Sequence, residues 1–599
     1  MQGKLPLRQE VPEEMTWRLE DIYPDENLWE EELKEAVALA SDIRKYEGHL
    51  SESAEDMYAM LQMYDACTLK LDRVYGYASM RQDQDTGNSR YQEFELKAQS
   101  ASVRIGEQLA FIEPEILAIP DDVIARFCEE VPALKDYEVT LREILRRKDH
   151  TLSGEMEQLL ASAGEMAQTA SNGFGMLSNA DLKFPAVRDR DGNEIQISNG
   201  RFVPLQMSPD RELRREVFEK YYTRYSEFKN TWAALYDGQV KQQIFYARAR
   251  KYPSTFTAAV DENNVDPAVC DRLIESVHSK LNYMHRYVAL RRKMLGVDEL
   301  HMYDVYMPMV ADYDRKFTYE EAKELSLKAL APLGEEYLSI VKKAYEERWI
   351  DVRENEGKRS GAYSSGVYGV HPYMLLNYTD TLDDVFTLVH EMGHSMHTWY
   401  SEHAQSHLNS RYRIFVAEVA STTNEILLLE YLLARAEDPR ERAYLLNHYM
   451  ESFKGTVYRQ TMFEEFERKS NAMAEAGTPL TAGALCDLYL DLNRQYFGEE
   501  MVSDPLIAYE WCRIPHFYYN FYVYQYATSF SAAVAIARRI LAQGETAVKP
   551  YLEFLKSGCT QDPVSLLKIA GVDLSTSRPV DEALEVFGDV IRQMEELQA

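Results

Sequence analysis

The sequence predicts a mainly α-helical chain with a small β-sheet next to one functional helix. Three observations carry this. Stretches 27–46, 54–76, 90–112 and 211–250 are rich in Ala, Leu, Glu, Lys and Arg, with apolar residues at helical spacing. Strand signals are few, at 182–188, 194–198 and 366–378. Residues 390–394 read His-Glu-Met-Gly-His, a pattern whose chemistry requires a helix.

In chain order, the first three helical stretches fall in an N-terminal helical region, 1–200. The two strands near its end flank Asp189-Arg190-Asp191-Gly192-Asn193, a turn-forming run that predicts a hairpin. Residues 201–599 form the second region, with soft boundaries, because no low-complexity linker or internal repeat marks a division. Within it, 366–378 is β-branched and aromatic, and Pro372 confines it to an edge or a strand start. An edge strand there could pair with an extended peptide through main-chain hydrogen bonds. The glycine-rich residues 361–369 are expected to be a mobile loop beside it.

The next element is the helix of the His-Glu-Met-Gly-His run. Thr381-Leu382-Asp383-Asp384 fits a capping-box start, with acids near the positive helix end. Leu382, Val385, Phe386, Val389 and Met392 follow at helical spacing. His390 and His394, four apart, then project from one face and can grip one zinc ion, while Glu391 can take a proton from water held there. A third protein ligand is needed. A metzincin would require Gly at 397 and His at 400, but these are His397 and Tyr400. A glutamate about twenty residues on is excluded by Arg413 and Ile414. The carboxylates downstream are Glu402, Glu418, Glu425 and Glu430. Glu402 falls in the polar run 401–410, expected to be a loop. Glu418 lies inside an apolar helical run, 414–420, where a carboxylate is rarely found unless paired or bound to metal. Glu425 is seven residues on, on the same helix face, placed to support a ligating imidazole.

His390-Glu391-Met392-Gly393-His394, followed by Phe415-Val416-Ala417-Glu418-Val419-Ala420-Ser421-Thr422-Thr423-Asn424-Glu425, resembles the thimet-oligopeptidase-like zinc peptidases. It is closer to their bacterial branch, oligoendopeptidase F, because more distant members read E-A-P-S where this chain has Glu418-Val419-Ala420-Ser421. The opening Trp17-Arg18-Leu19-Glu20-Asp21-Ile22-Tyr23-Pro24, the helix 480–489 and the Tyr-rich segment 513–527 also match, so the resemblance spans nearly the whole chain. It implies one zinc ion per chain on His390, His394 and Glu418, Glu391 as general base, and Glu425 bonded to a ligand histidine. It also implies an elongated, two-lobed helical clamshell of gluzincin type, with zinc deep in a channel that admits only short, unfolded peptides.

Hydrolysis of a peptide bond generates an oxyanion, which fixed donors stabilise. Segment 516–526 holds one histidine and five tyrosines. If helical after Pro515, it would place His516, Tyr519, Tyr522 and Tyr526 on one stripe. The resemblance makes His516, Tyr519 and Tyr526 the candidates, without singling out one tyrosine. The alternative is an aromatic packing stripe.

Composition sets the bounds. With 599 residues, 45% hydrophobic, the chain can bury more than one core. A net charge of −32 argues against nucleic-acid and anionic-membrane partners. No stretch is apolar enough for a signal peptide or a membrane span. Six scattered cysteines without C-x-x-C suggest reduced thiols and a cytoplasmic location. The expected function is a zinc oligoendopeptidase acting on short peptides. The competing readings are an exopeptidase at free termini and a peptide-binding scaffold with structural zinc, for which His397 and His403 would be the fourth-ligand candidates. Oligomeric state is not legible.

Overall fold

The computed structural model describes residues 4–310 and 315–598. Helices dominate, and the only sheets among the described residues are two pairs of strands and one set of three. The chain divides into two compact units, each assembled from three segments. The first comprises Met1–Asp149, Asp314–Tyr431 and Ile536–Val572; the second, His150–Tyr313, Leu432–Ala535 and Asp573–Ala599. This division does not coincide with position 200. It follows contacts between segments remote in sequence, which leave no compositional trace.

The expected helices form, with shifted ends. Stretch 54–76 continues as Ala54–Gln84, and 211–250 is two helices, Arg211–Glu227 and Lys229–Ala249, broken at Phe228 (φ −109°, ψ 15°). The hairpin forms between Ala186–Arg188 and Glu194–Gln196, with Val187 opposite Ile195.

In the first unit, Glu26–Ile43, Ala54–Gln84 and Ser89–Leu109 pack on one apolar core. A second core joins them to the three-stranded sheet. Trp17, Leu19, Ile22 and Tyr23 of the N-terminal segment lie in it with Trp29, Tyr77, Phe94, Tyr373 and Leu375. Each such large side chain contributes about 1.5–3 kcal/mol on burial. The same segment is tied by charge. Arg8 reaches Asp351 at 2.9 Å, and the Lys358 ammonium sits 2.7 Å from the same carboxylate, with both Asp351 and Lys358 side chains fully buried.

The sheet corrects the sequence reading. Tyr373–Leu375 begins directly after Pro372, as that residue requires, but it is the central strand. Ile350–Asp351 pairs with it in parallel on one side, and Tyr363–Ser365 antiparallel on the other. The expected loop at 361–369 therefore contains one of the two edge strands. Main-chain pairing across sequence gaps decided this, and local composition does not encode it.

In the second unit, Glu510 is buried at the centre of a polar network. It accepts from Arg459 and Arg513, each at 2.7 Å, and from Tyr489 at 2.6 Å. Burial alone would raise its pKa, but the two guanidiniums reverse this and hold it far below the usual carboxylate range.

Candidate metal centre

The helix Leu382–Ala404 starts where its capping residues require. Thr381 accepts the Asp384 N–H at 3.1 Å, and the Asp384 carboxylate accepts the Thr381 N–H at 2.9 Å. Leu382, Val385, Phe386, Val389 and Met392 are all buried. His390 and His394, four residues apart, share one face and are only partly buried. The helix also runs through Ser401–Ala404, so Glu402 is helical and not in a loop. Its carboxyl is pushed up to about 7, chiefly by burial.

A second helix, Ile414–Leu433, crosses the motif helix at Gly393. A β-carbon at 393 would stand 2.5 Å from Ser421 Cα and 2.7 Å from the Ala420 carbonyl oxygen. Only glycine lets the two backbones meet. Asn424 adds a tie, donating to the Val389 carbonyl at 3.3 Å and accepting from Tyr337 at 3.0 Å.

This crossing gathers the residues singled out from sequence. One ligand atom each of His390, His394 and Glu418 lies within 4.8 Å of the others. The two Nε2 atoms are 3.2 Å apart, and Glu418 Oε2 is 3.5 Å from His390 Nε2 and 3.8 Å from His394 Nε2. Two donors about 2.0–2.1 Å from a tetrahedrally held zinc ion would be roughly 3.3–3.4 Å apart, so the set fits one such ion. Glu425 bonds His390 Nδ1, which directs the Nε2 lone pair toward the cluster. The ring of His394 bonds the main chain of Ala417. Among the described residues no fourth protein ligand joins: His397 stacks on Tyr412 at 3.7 Å and His403 on Trp399 at 3.8 Å.

The electrostatics favour a cation there. Burial opposes charge on both imidazoles, yet the Glu425 carboxylate carries His390 up to about 9. Burial, then the charge of His390, pushes His394 down to about 3. Two protons cannot share so short a gap, whereas one metal ion serves both rings. Glu391 is 7% exposed and held up to about 7, first by burial. It accepts the Ser364 N–H from the edge strand, and its Oε2 has no partner. A carboxylate with an idle oxygen and a pKa near neutrality suits proton exchange with water.

The Tyr-rich segment, in the second unit, departs from the expected continuous helix. A short 3-10 helix, Pro515–Tyr518, is followed by a turn with Asn520 and Phe521 at φ 58° and 55°, and the helix Tyr524–Gln543 begins after it. Consecutive left-handed residues end any helix. The turn still gathers the predicted rings. His516 lies 5.5 Å from Tyr519, 6.3 Å from Tyr522 and 5.9 Å from Tyr526 between ring centroids. Tyr519 is 55% exposed.

Two contributors escaped the sequence reading. Gly393 was detectable as a glycine inside a helix, which calls for a packing reason. Ser364 carried no signal, because its role depends on strand pairing.

Known proteins resemble this chain along nearly its whole length. The family model for peptidase family M3 matches residues 205–586, and that for oligopeptidase F matches 115–184. Oligopeptidase PepF of Bacillus subtilis (strain 168) is 48% identical over 595 residues, covering 99% of this chain and 89% of that protein. The plasmid-encoded oligoendopeptidase F of Lactococcus lactis subsp. cremoris is 41% identical over 591 residues, covering 98% of each. Among solved structures, a putative peptidase from Chlamydophila abortus superposes with a TM-score of 0.93 at 33% identity, covering 99% of this chain and 100% of that one. Oligoendopeptidase-F from Enterococcus faecium gives 0.75 at 38% identity, covering 95% and 99%. With the match running through both compact units and through the motif helix, the chain belongs to peptidase family M3 as a homologue of oligoendopeptidase F.

Proposed function

We propose that the chain is a zinc-dependent oligoendopeptidase that hydrolyses internal bonds of short, unstructured peptides. The convergence of His390, His394 and Glu418 on one point, with Glu391 beside it, carries the reading. Those three residues would hold the ion, which supplies Lewis acidity toward water and the substrate carbonyl. Glu391 takes the proton of the attacking water on its free oxygen and delivers it to the departing amine. Glu425 keeps His390 in the tautomer that leaves Nε2 free. His516, with Tyr519 or Tyr526, donates hydrogen bonds to the oxyanion. The edge strand Tyr363–Ser365, packed on the motif helix, offers main-chain groups to an extended substrate irrespective of its side chains. We place the enzyme in the cytoplasm. Its six cysteines are free, and among the described residues no helix is long and apolar enough to cross a membrane.

The test is cleavage of an internally quenched peptide by wild type and Glu391→Gln, with metal content measured on both. Losing general-base catalysis should lower kcat by about 10²–10⁴-fold while the metal stays bound. A metal-loaded variant cleaving at the wild-type rate would remove Glu391 from the reaction.

A further inference from the structure

The helix Arg459–Glu475 carries two carboxyls that the reaction above does not use. Glu464 and Glu467 are both fully buried, and neither oxygen of Glu464 nor Oε2 of Glu467 has a partner. Such burial is unfavourable, and an apolar residue would fill the same space at lower cost. Glu467 has one compensating contact. Its Oε1 accepts the main-chain N–H of Phe521 at 2.8 Å, across 54 residues of sequence.

Phe521 is the second residue of the left-handed turn, after Asn520. Residues with a β-carbon disfavour that region, and two in succession persist only when the surroundings hold them. Packing supplies one restraint: Phe521 is 1% exposed, with its ring 5.3 Å from that of Phe256. The carboxyl of Glu467 supplies the other, and without it the Phe521 N–H would be a buried donor with no acceptor. This turn folds Tyr522 and Tyr526 back toward His516, with Tyr526 Oη 3.5 Å from His516 Nε2.

We infer that Glu467 is a positioning residue: its buried carboxyl holds the Phe521 N–H and so maintains the turn that gathers His516, Tyr522 and Tyr526. The inference rests on the role proposed above for that segment. Burial raises the Glu467 carboxyl to about 8, so it is largely protonated near neutrality and glutamine is its nearest mimic.

Steady-state kinetics on the metal-loaded full chain test this. Glu467→Ala should lower kcat by about tenfold or more with KM within about twofold, because misplaced groups act in the transition state. Glu467→Gln should retain most of kcat. Adding Asn520→Gly to Glu467→Ala should restore much of the loss, since glycine adopts the left-handed region unaided; a mere hole in the core would gain nothing from it. Wild-type kcat in Glu467→Ala, or a loss that Asn520→Gly leaves unchanged, overturns the inference. If Glu467→Ala does not fold, Asn520→Val at the exposed turn should lower kcat at constant KM, and wild-type kcat there is equally fatal. His516→Ala separates the two readings. If it loses activity while Glu467→Ala does not, the inference fails alone. If it keeps wild-type kcat, the role of the segment fails and takes the inference with it.

Discussion

Replacing Gly393 by alanine probes the crossing on which the metal centre depends. On an exposed helix the change would stabilise by roughly 0.5–1 kcal/mol, through lower chain entropy in the unfolded state. Here the new β-carbon would lie 2.5 Å from Ser421 Cα and 2.8 Å from Ser421 N, where ordinary contact begins at 3.4 Å. The obstacles are backbone atoms and cannot rotate away. The helices must part by about 1 Å, and overpacking of this kind costs about 1–3 kcal/mol. The net expectation is a loss of about 1–2 kcal/mol, lowering Tm by a few degrees. Glu418 lies one turn from Ser421, so its 3.5 Å and 3.8 Å separations from the imidazoles open with the helices. Metal sites tolerate about 0.2 Å, so zinc affinity should fall by at least the 10–100-fold typical of a disturbed supporting shell. Thermal unfolding of the metal-free protein and competition with a chromophoric chelator measure the two effects separately. A variant with equal or higher Tm and wild-type affinity would show that the helices do not touch at Gly393.

Glu425→Ala should weaken zinc binding about 10–100-fold by freeing the His390 ring, with secondary structure unchanged by circular dichroism. Undiminished affinity would make the His390–Glu425 bond incidental. Asp351→Ala leaves the buried Lys358 ammonium without its counter-charge and removes the ion-pair partner of Arg8; the stability lost in urea unfolding should be about 3 kcal/mol or more, and a loss below about 1 kcal/mol would contradict it. The Glu451 carboxyl sits between Lys454 and Arg291. Burial alone would raise it, but the two cations depress it from 4.5 to about 2. A depressed folded-state pKa stabilises above the unfolded value, so this contribution is complete above pH 4.5 and fades as pH falls toward 2. Glu451→Gln should therefore flatten the acid limb of the stability profile in that window, and an unchanged limb would refute the assignment.

How much was legible varies residue by residue. The motif helix was readable to its cap, because Thr381, Asp384 and the apolar spacing act within a few residues of one another. Glu418 was readable from its apolar neighbours, which made a charge there conspicuous. The ring cluster at 516–526 was anticipated, but through a helix that does not form. Asn520-Phe521 contains no glycine, and its left-handed turn is stabilised from Glu467 on another helix.

Patterns that close within a turn or two of backbone were written plainly in the chain: helix content, the histidine pair and the acidic partner on a shared face; membership of the peptidase family was legible from several such short segments together. The rest arose when remote segments met. The order of the three strands, the two interleaved units, the contact at Gly393 and the tie from Glu467 to Phe521 depend on pairings across tens to hundreds of residues. Local propensity covers only nearest neighbours, and such pairings are chosen by the burial and hydrogen bonding of the whole fold.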